Sequence, residues 1–584
     1  MKRQAWLSLL LLASGCGEDV LDLRIELPDA YRDAIARLET RILRPGLAEP
    51  FDCEDIAYGA VDEDAARFSL ETQLSFAPGG NAPLPDLDRN SAKVVVVEGF
   101  DDAGQAVVSG CLEIDAVGEE LSRTLVATPV PRLTDVRSST LSVALGAKGP
   151  LRFGGQLVDF RNEGLADAEV RVRILSPAGV SAVETTRTDG DGRWVILAAA
   201  PIVPGPFVAE LRARGGADDA TRLSGFIIPP IETRTLPGDG VDHRAGRVGP
   251  NGKPGVVSLI RTETGKLRAS LLYRDGAGGF TEVQSPELQG TIGALGLVLR
   301  PNRARDLPVV VTEAGWWSVE EDGTLTRSAN YVLPLFDPNP VSVEAFQDCD
   351  SDPVIVVSYA QGLTRFHDEA GSRTLDFGAN AFSVFAAGCL TNELGGETRL
   401  MVANEPGSGL VLIAEDPGNP FLVRGWVAWT QGMGFARAED GTKLLVGTQL
   451  LVNDFVISRA RIRFSGPDVF DITTYDFEQP PHLPVFNLFG DISGDGKQDT
   501  LALLDASEVP GDGTDFELWA SLGGTVEGLT LRGAAPVEPE SAPLKDPRLM
   551  LVDLDEDGVK DAVIAERSTT SRRVLIYALG QVSP

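Results

Sequence analysis

Two nine-residue stretches near the C-terminal end could do chemistry: DISGDGKQD at Asp491–Asp499 and DLDEDGVKD at Asp553–Asp561. Each places an oxygen-bearing side chain at positions one, three, five and nine and a glycine at position six. Alternate residues of a tight loop can point inward together, and the glycine permits the sharp turn this needs. A hard cation that takes six to eight oxygens at short range suits such a set. Without one, the clustered carboxylates repel one another and raise their own pKa values. A loop set between two helices would close with a bidentate Glu at the twelfth position, but that position is Ile564 in the second stretch. The apolar run Ala562 to Ala565 reads instead as a strand.

The elements that must position these loops form a repeat. From residue 246 to the end, short apolar strands follow Gly- or Asp-rich turns and begin at Val256, Val309, Val354, Leu400, Leu444, Leu501 and Ala562. Seven units of this length, each with room for about four short strands, predict a seven-bladed β-propeller over 246–584. One unit cannot bury both faces of its small sheet alone, so the units must close in a ring.

The last two turns resemble FG-GAP or VCBS repeats, the blades of integrin-alpha-type propellers, whose D-x-D/N/S-x-D-G-x-x-D loops bind calcium. The resemblance implies Ca2+ ligands at Asp491, Ser493, Asp495, the carbonyl of Lys497 and Asp499 in one loop. In the other it implies Asp553, Asp555, Asp557, the carbonyl of Val559 and Asp561. The third turn keeps Asp348, Asp350 and Asp352 but has Pro353 for the glycine and Val356 for the last Asp. It departs from the pattern at the turn and at the closing ligand.

The 584-residue chain carries a formal charge of −33, with 63 Gly and 38 Pro, a composition that favours turns over long helices. The charge argues against nucleic acid and anionic membrane surfaces as partners. Residues 1–15 have Lys2 and Arg3, a short apolar core and small residues, the plan of a secretory signal peptide too short to span a membrane. Ala13-Ser14-Gly15-Cys16 looks like a bacterial lipobox, which implies acylation at Cys16 and a location in the cell envelope, held to the outer membrane by lipid only. Cys53, Cys111, Cys349 and Cys389 remain, an even number in an exported chain. The pairs expected are Cys53–Cys111 and Cys349–Cys389.

Residues 16–146 alternate strand-like runs with turns, as in AKVVVVEGFDDAGQAVVSGCLEID, and predict a β-sandwich. The stretch PDAYRDAIARLETRIL fits a helix or a strand. Residues 150–232 resemble the carboxypeptidase-regulatory-like or transthyretin-like sandwich through QLVDF, AEVRV and TDGDGRW. Asp189, Asp191 and Gly192 there read as a hairpin turn. Residues 233–245, rich in Pro and Gly, read as a linker. The fold class expected is therefore all-β, two sandwiches acting as a stalk beneath a propeller.

His243, His367 and His482 are scattered, and neither H-E-x-x-H, G-x-S-x-G nor a phosphate loop occurs. Trp316 and Trp317 read as packing residues. The expectation is a non-enzymatic lipoprotein for adhesion or scaffolding that binds a protein or a glycan. The alternative is a polysaccharide lyase or hydrolase using carboxylates at the ring's central face. Three or more acids with a cation at the axis would favour the alternative.

Overall fold

The structure, a computed structural model, describes residues 20–579 apart from connecting segments, the longest being 79–90, 329–338 and 507–515. Most of 345–477 is described as backbone strands only. Cys16, the turn at 348–352 and the proposed Cys349–Cys389 bridge lie outside the described side chains.

The first region is built on a five-stranded sheet whose core strands are Arg37–Leu43, Lys93–Phe100 and Ala106–Ile114. The ambiguous stretch splits into a 3-10 turn at Asp29–Ala34 and the strand Arg37–Leu43. Alternation decides it: Leu38, Thr40 and Ile42 are buried, while their neighbours Glu39 and Arg41 are not. The Cys53–Cys111 disulfide is present. It pins the short helix Cys53–Ala57, capped by the Asp52 carboxylate, to the strand Ala106–Ile114.

The second region packs a three-stranded sheet against a larger one over a core that includes Phe153, Trp194, Ile174 and Phe207. It begins earlier than residue 150. Arg132–Ser138 pairs with Leu151–Val158, and Ser142–Ala144 runs parallel to Thr221–Ile228. The boundary at 146–150 is therefore corrected to about residue 131.

Among the described residues, seven four-stranded antiparallel sheets follow, numbered one to seven here in chain order of their innermost strands, called first strands below. Those strands are Asp239–Gly246, Gly293–Val298, Pro340–Gln347, Ser383–Thr391, Trp429–Arg437, Leu483–Gly490 and Pro547–Val552. Each touches the next, and the last touches the first. Second strands such as Gly255–Arg261 and Asp561–Glu566 are buried almost end to end. They lie between neighbouring sheets, so both of their faces are apolar.

The stretch read as a linker is strand. Ile231–Thr235 pairs with Arg573–Tyr577, completing the seventh sheet, and Asp239–Gly246 opens the first. The alternation in IETRT was outweighed by its Pro- and Gly-rich flanks.

No linker separates the second region from the sheets, which pack against it directly. Leu175, Val208 and Phe226 share one buried cluster with Leu531 and Ala535 of sheet six. A Cβ built on Gly533 would stand 2.2 Å from Gly225 O, so the two backbones meet directly. Ser142 Oγ donates to Ala534 O at 3.2 Å. The first region also joins the second: Tyr58 Oη donates to Glu169, and Arg212 donates to the Tyr58 carbonyl at 2.7 Å.

Candidate metal centres and the axial charge cluster

In sheet seven the acidic loop leaves the first strand after Val552 and enters the second at Asp561. Glu556 and Gly558 take positive φ, +62° and +93°, which folds the loop back on itself. Asp553 accepts the Asp557 and Gly558 amides at 3.1 and 3.0 Å, and Asp557 accepts the Val559 amide at 2.8 Å. This brings one oxygen each of Asp553, Asp555 and Asp557 within 4.8 Å of one another. The pKa of Asp557 is raised by burial, and the Asp555 and Asp553 charges add to it against the Val559 amide.

Asp561, the fifth expected donor, stands apart from these three. Its two oxygens accept the amides of Leu554 at 2.9 Å and Leu579 at 3.2 Å, tying the loop to the chain beyond the last strand. Burial, together with the Asp555 and Asp557 charges, pushes its pKa up to about 7.

The loop of sheet six follows the same plan. Asp491 accepts the amides of Gly494 and Gly496 at 2.7 and 2.8 Å, and Asp495 accepts that of Lys497 at 2.8 Å. Asp499 faces inward and accepts the amides of Ile492, Ser493 and Gly523. Burial raises its pKa. Ser493 Oγ is buried beside the Asp499 carboxylate. With Ser493 replacing an acid, this loop does not gather three carboxylates as its neighbour does.

In both loops the donors are oxygens only, with no thiolate or imidazole, which fits a hard cation such as Ca2+. Asp553, Asp555 and Asp557 would hold it in sheet seven. Asp491, Ser493 and Asp495 are the corresponding residues in sheet six.

A second charged constellation was not foreseen. Asp242 and Arg244 stand on the first strand of sheet one, Glu344 on that of sheet three, and Arg548 on that of sheet seven. Arg548 and Arg244 both reach Asp242 Oδ1, at 2.7 and 2.8 Å, and Arg244 also reaches Glu344 at 3.0 Å. The Leu295 amide of sheet two approaches Asp242 Oδ2 at 3.4 Å. Burial would raise the Asp242 pKa, but the Arg244 and Arg548 guanidiniums outweigh it and hold it at about 2. Burial raises the pKa of Glu344 against the pull of Arg244. Burial and the Arg244 charge bring Arg548 down to about 10. Among the described residues, the acids that meet on these innermost strands are Asp242 and Glu344, each ion-paired to arginine. The sequence signal was present in Arg548, a lone base in the apolar run PRLMLV, while VDHRAG was masked by its reading as linker.

His243 lies between Asp242 and Arg244 and so faces the opposite way. Nδ1 meets Ser258 Oγ and Nε2 meets the Glu566 carbonyl, both at 2.9 Å, joining sheet one to sheet seven. Burial lowers its pKa to about 4. Trp317 packs in the cluster between sheets one and two, and His482 lies 3.6 Å from Glu517 near the surface. Among the described residues, no helix is long and apolar enough to cross a membrane.

No protein-family model matches the chain, and no curated protein matches it. Among solved structures, BBS1N in complex with ARL6DN is 12% identical, covering 61% of this chain and 97% of that one, with a TM-score of 0.36. Polysaccharide lyase Uly1 is 10% identical over 59% of this chain and 90% of its own, at 0.33. A leech intramolecular trans-sialidase is 10% identical over 77% and 94%, at 0.34. Scores this low carry no argument about function, and the all-β fold rests on the sheets described above.

Proposed function

We propose that this chain is a lipid-anchored protein of the bacterial cell envelope, tethered through Cys16, whose seven sheets form a β-propeller displaying a binding surface for a protein or a glycan. Calcium, held in the loops of sheets six and seven, stiffens the scaffold and takes no part in chemistry. The observation that carries this reading is the contrast in charge compensation. The acids on the innermost strands are paired with arginines, which serves ring closure better than proton transfer, whereas the clustered carboxylates have backbone amides as partners and lie in the turn that leaves the innermost strand of sheet seven.

The test is to incubate the purified chain, with calcium present, with a panel of acidic and neutral polysaccharides while following chain length and unsaturated uronate absorbance. Retention of a polysaccharide or an envelope protein without cleavage is the expected result. Depolymerisation would overturn the binding reading in favour of a lyase or hydrolase.

A further inference from the structure

The two acidic loops touch each other. The Lys560 amide donates to the Asp491 carbonyl at 3.3 Å. A Cβ built on Gly494 would stand 3.0 Å from Val559 Cγ2, and one on Gly490 would stand 3.1 Å from Lys560 Cδ. The Lys560 N–H and the Val559 carbonyl belong to one planar peptide unit. That carbonyl is the backbone ligand expected for the loop of sheet seven, and Asp491 contributes the first carboxylate of the loop of sheet six. A single rigid plane thus presents its oxygen to one site and its N–H to the residue that opens the other.

We propose that the two loops take up calcium as a positively coupled pair, with the Val559–Lys560 peptide carrying the coupling. This rests on the calcium reading above. A cation on the Val559 oxygen fixes the plane and polarises it, making the N–H a stronger donor to Asp491 O. Asp491 is then held where its two oxygens already organise Gly494 and Gly496, so the second cation meets a loop that is already ordered. One effect opposes this: filling one acidic loop lowers the negative potential felt by the other. Salt screens that field, with a Debye length of about 8 Å at physiological ionic strength, and leaves the backbone contact in place, so the titration is run at that ionic strength and positive coupling there is the ordering effect.

Calorimetric titration of calcium chloride into the full chain tests this, alongside the single-loop variants Asp553→Ala and Asp491→Ala. The unmodified chain is expected to bind two equivalents. Loss of either loop should weaken the other by about fivefold or more, by the same factor in both directions, because coupling is reciprocal. Val559→Ala, which keeps the backbone groups and deletes the contact with Gly494, should lower the coupling without abolishing binding. An unchanged or tightened remaining site in both single-loop variants overturns the coupling while leaving the calcium reading intact. No binding heat in the unmodified chain overturns the calcium reading itself, and the coupling with it.

Discussion

The innermost strands and the acidic turns that leave two of them use the same residue types in opposite ways. The Asp242 carboxylate is buried and is answered by guanidiniums from two different sheets, themselves only 12% and 23% exposed. At Asp553, Asp555 and Asp557 the acids face one another, and backbone amides are their hydrogen-bond partners. The first arrangement is complete as it stands and holds sheets together. The second leaves charge to be neutralised from outside, so its stability depends on what the solution contains. Partnering, rather than acidity, separates a lock from a proposed ligand site.

The largest effect is expected from breaking the lock. Asp242→Ala leaves Arg244 and Arg548, largely but not fully buried, without their shared acid and should cost about 3–5 kcal/mol at most, read by denaturant unfolding. A loss below about 1 kcal/mol would show that the cluster does not hold the sheets.

Acid should act next, through His243. Its folded pKa, about 4, lies below the unfolded 6.5. The stability it contributes is therefore full above about pH 6.5 and is lost as pH falls through 4, by on the order of 3 kcal/mol. His243→Gln should flatten the unfolding profile over that window, and an unaltered profile would remove His243 from the seam. Asp242, held at about 2 against an ordinary 3.8, takes over only below that window.

Calcium should raise the melting temperature, since a ligand bound only to the folded state contributes about 2.7 kcal/mol at one hundred times its dissociation constant. Asp557→Ala should remove most of the share due to its own loop, and a full response in that variant would place the cation elsewhere. The smallest change is expected at Arg187→Ala, whose partner Asp167 and the arginine itself are 81% and 59% exposed. An exposed pair is worth less than about 1 kcal/mol, so a loss near that of Asp242→Ala would undo the contrast between buried and open charge.

Much of this architecture could be read from the chain because a strand covered on both faces leaves an unbroken apolar run. VVSLI, VVV, VIVV and AVIA each fall in the second strand of a separate sheet. The meeting of Asp553, Asp555 and Asp557 was legible for the complementary reason, that local spacing sets which side chains approach, while Asp561 and the loop of sheet six do not join in the same way. The closing strand Ile231–Thr235 was not, since its partner lies at the far end of the repeat region. Nor was the cluster of Asp242, Glu344 and Arg548, which only the ring order brings together. The docking of Phe226 on sheet six was hidden as well, because nothing in a sandwich sequence says which of its faces stays dry.

The pairing of Ile231–Thr235 with Arg573–Tyr577 also sets an order of events. The strand that finishes the last sheet is made ahead of the first sheet and must wait, one edge unsatisfied, until the final hairpin has been made. Closure thus demands a contact of very long sequence separation, the kind that slows folding and leaves intermediates prone to misassembly. A chain arrested or clipped before Arg573 would keep an open seam between its first and last sheets, and chaperones or proteases of the compartment would meet it as an exposed strand edge.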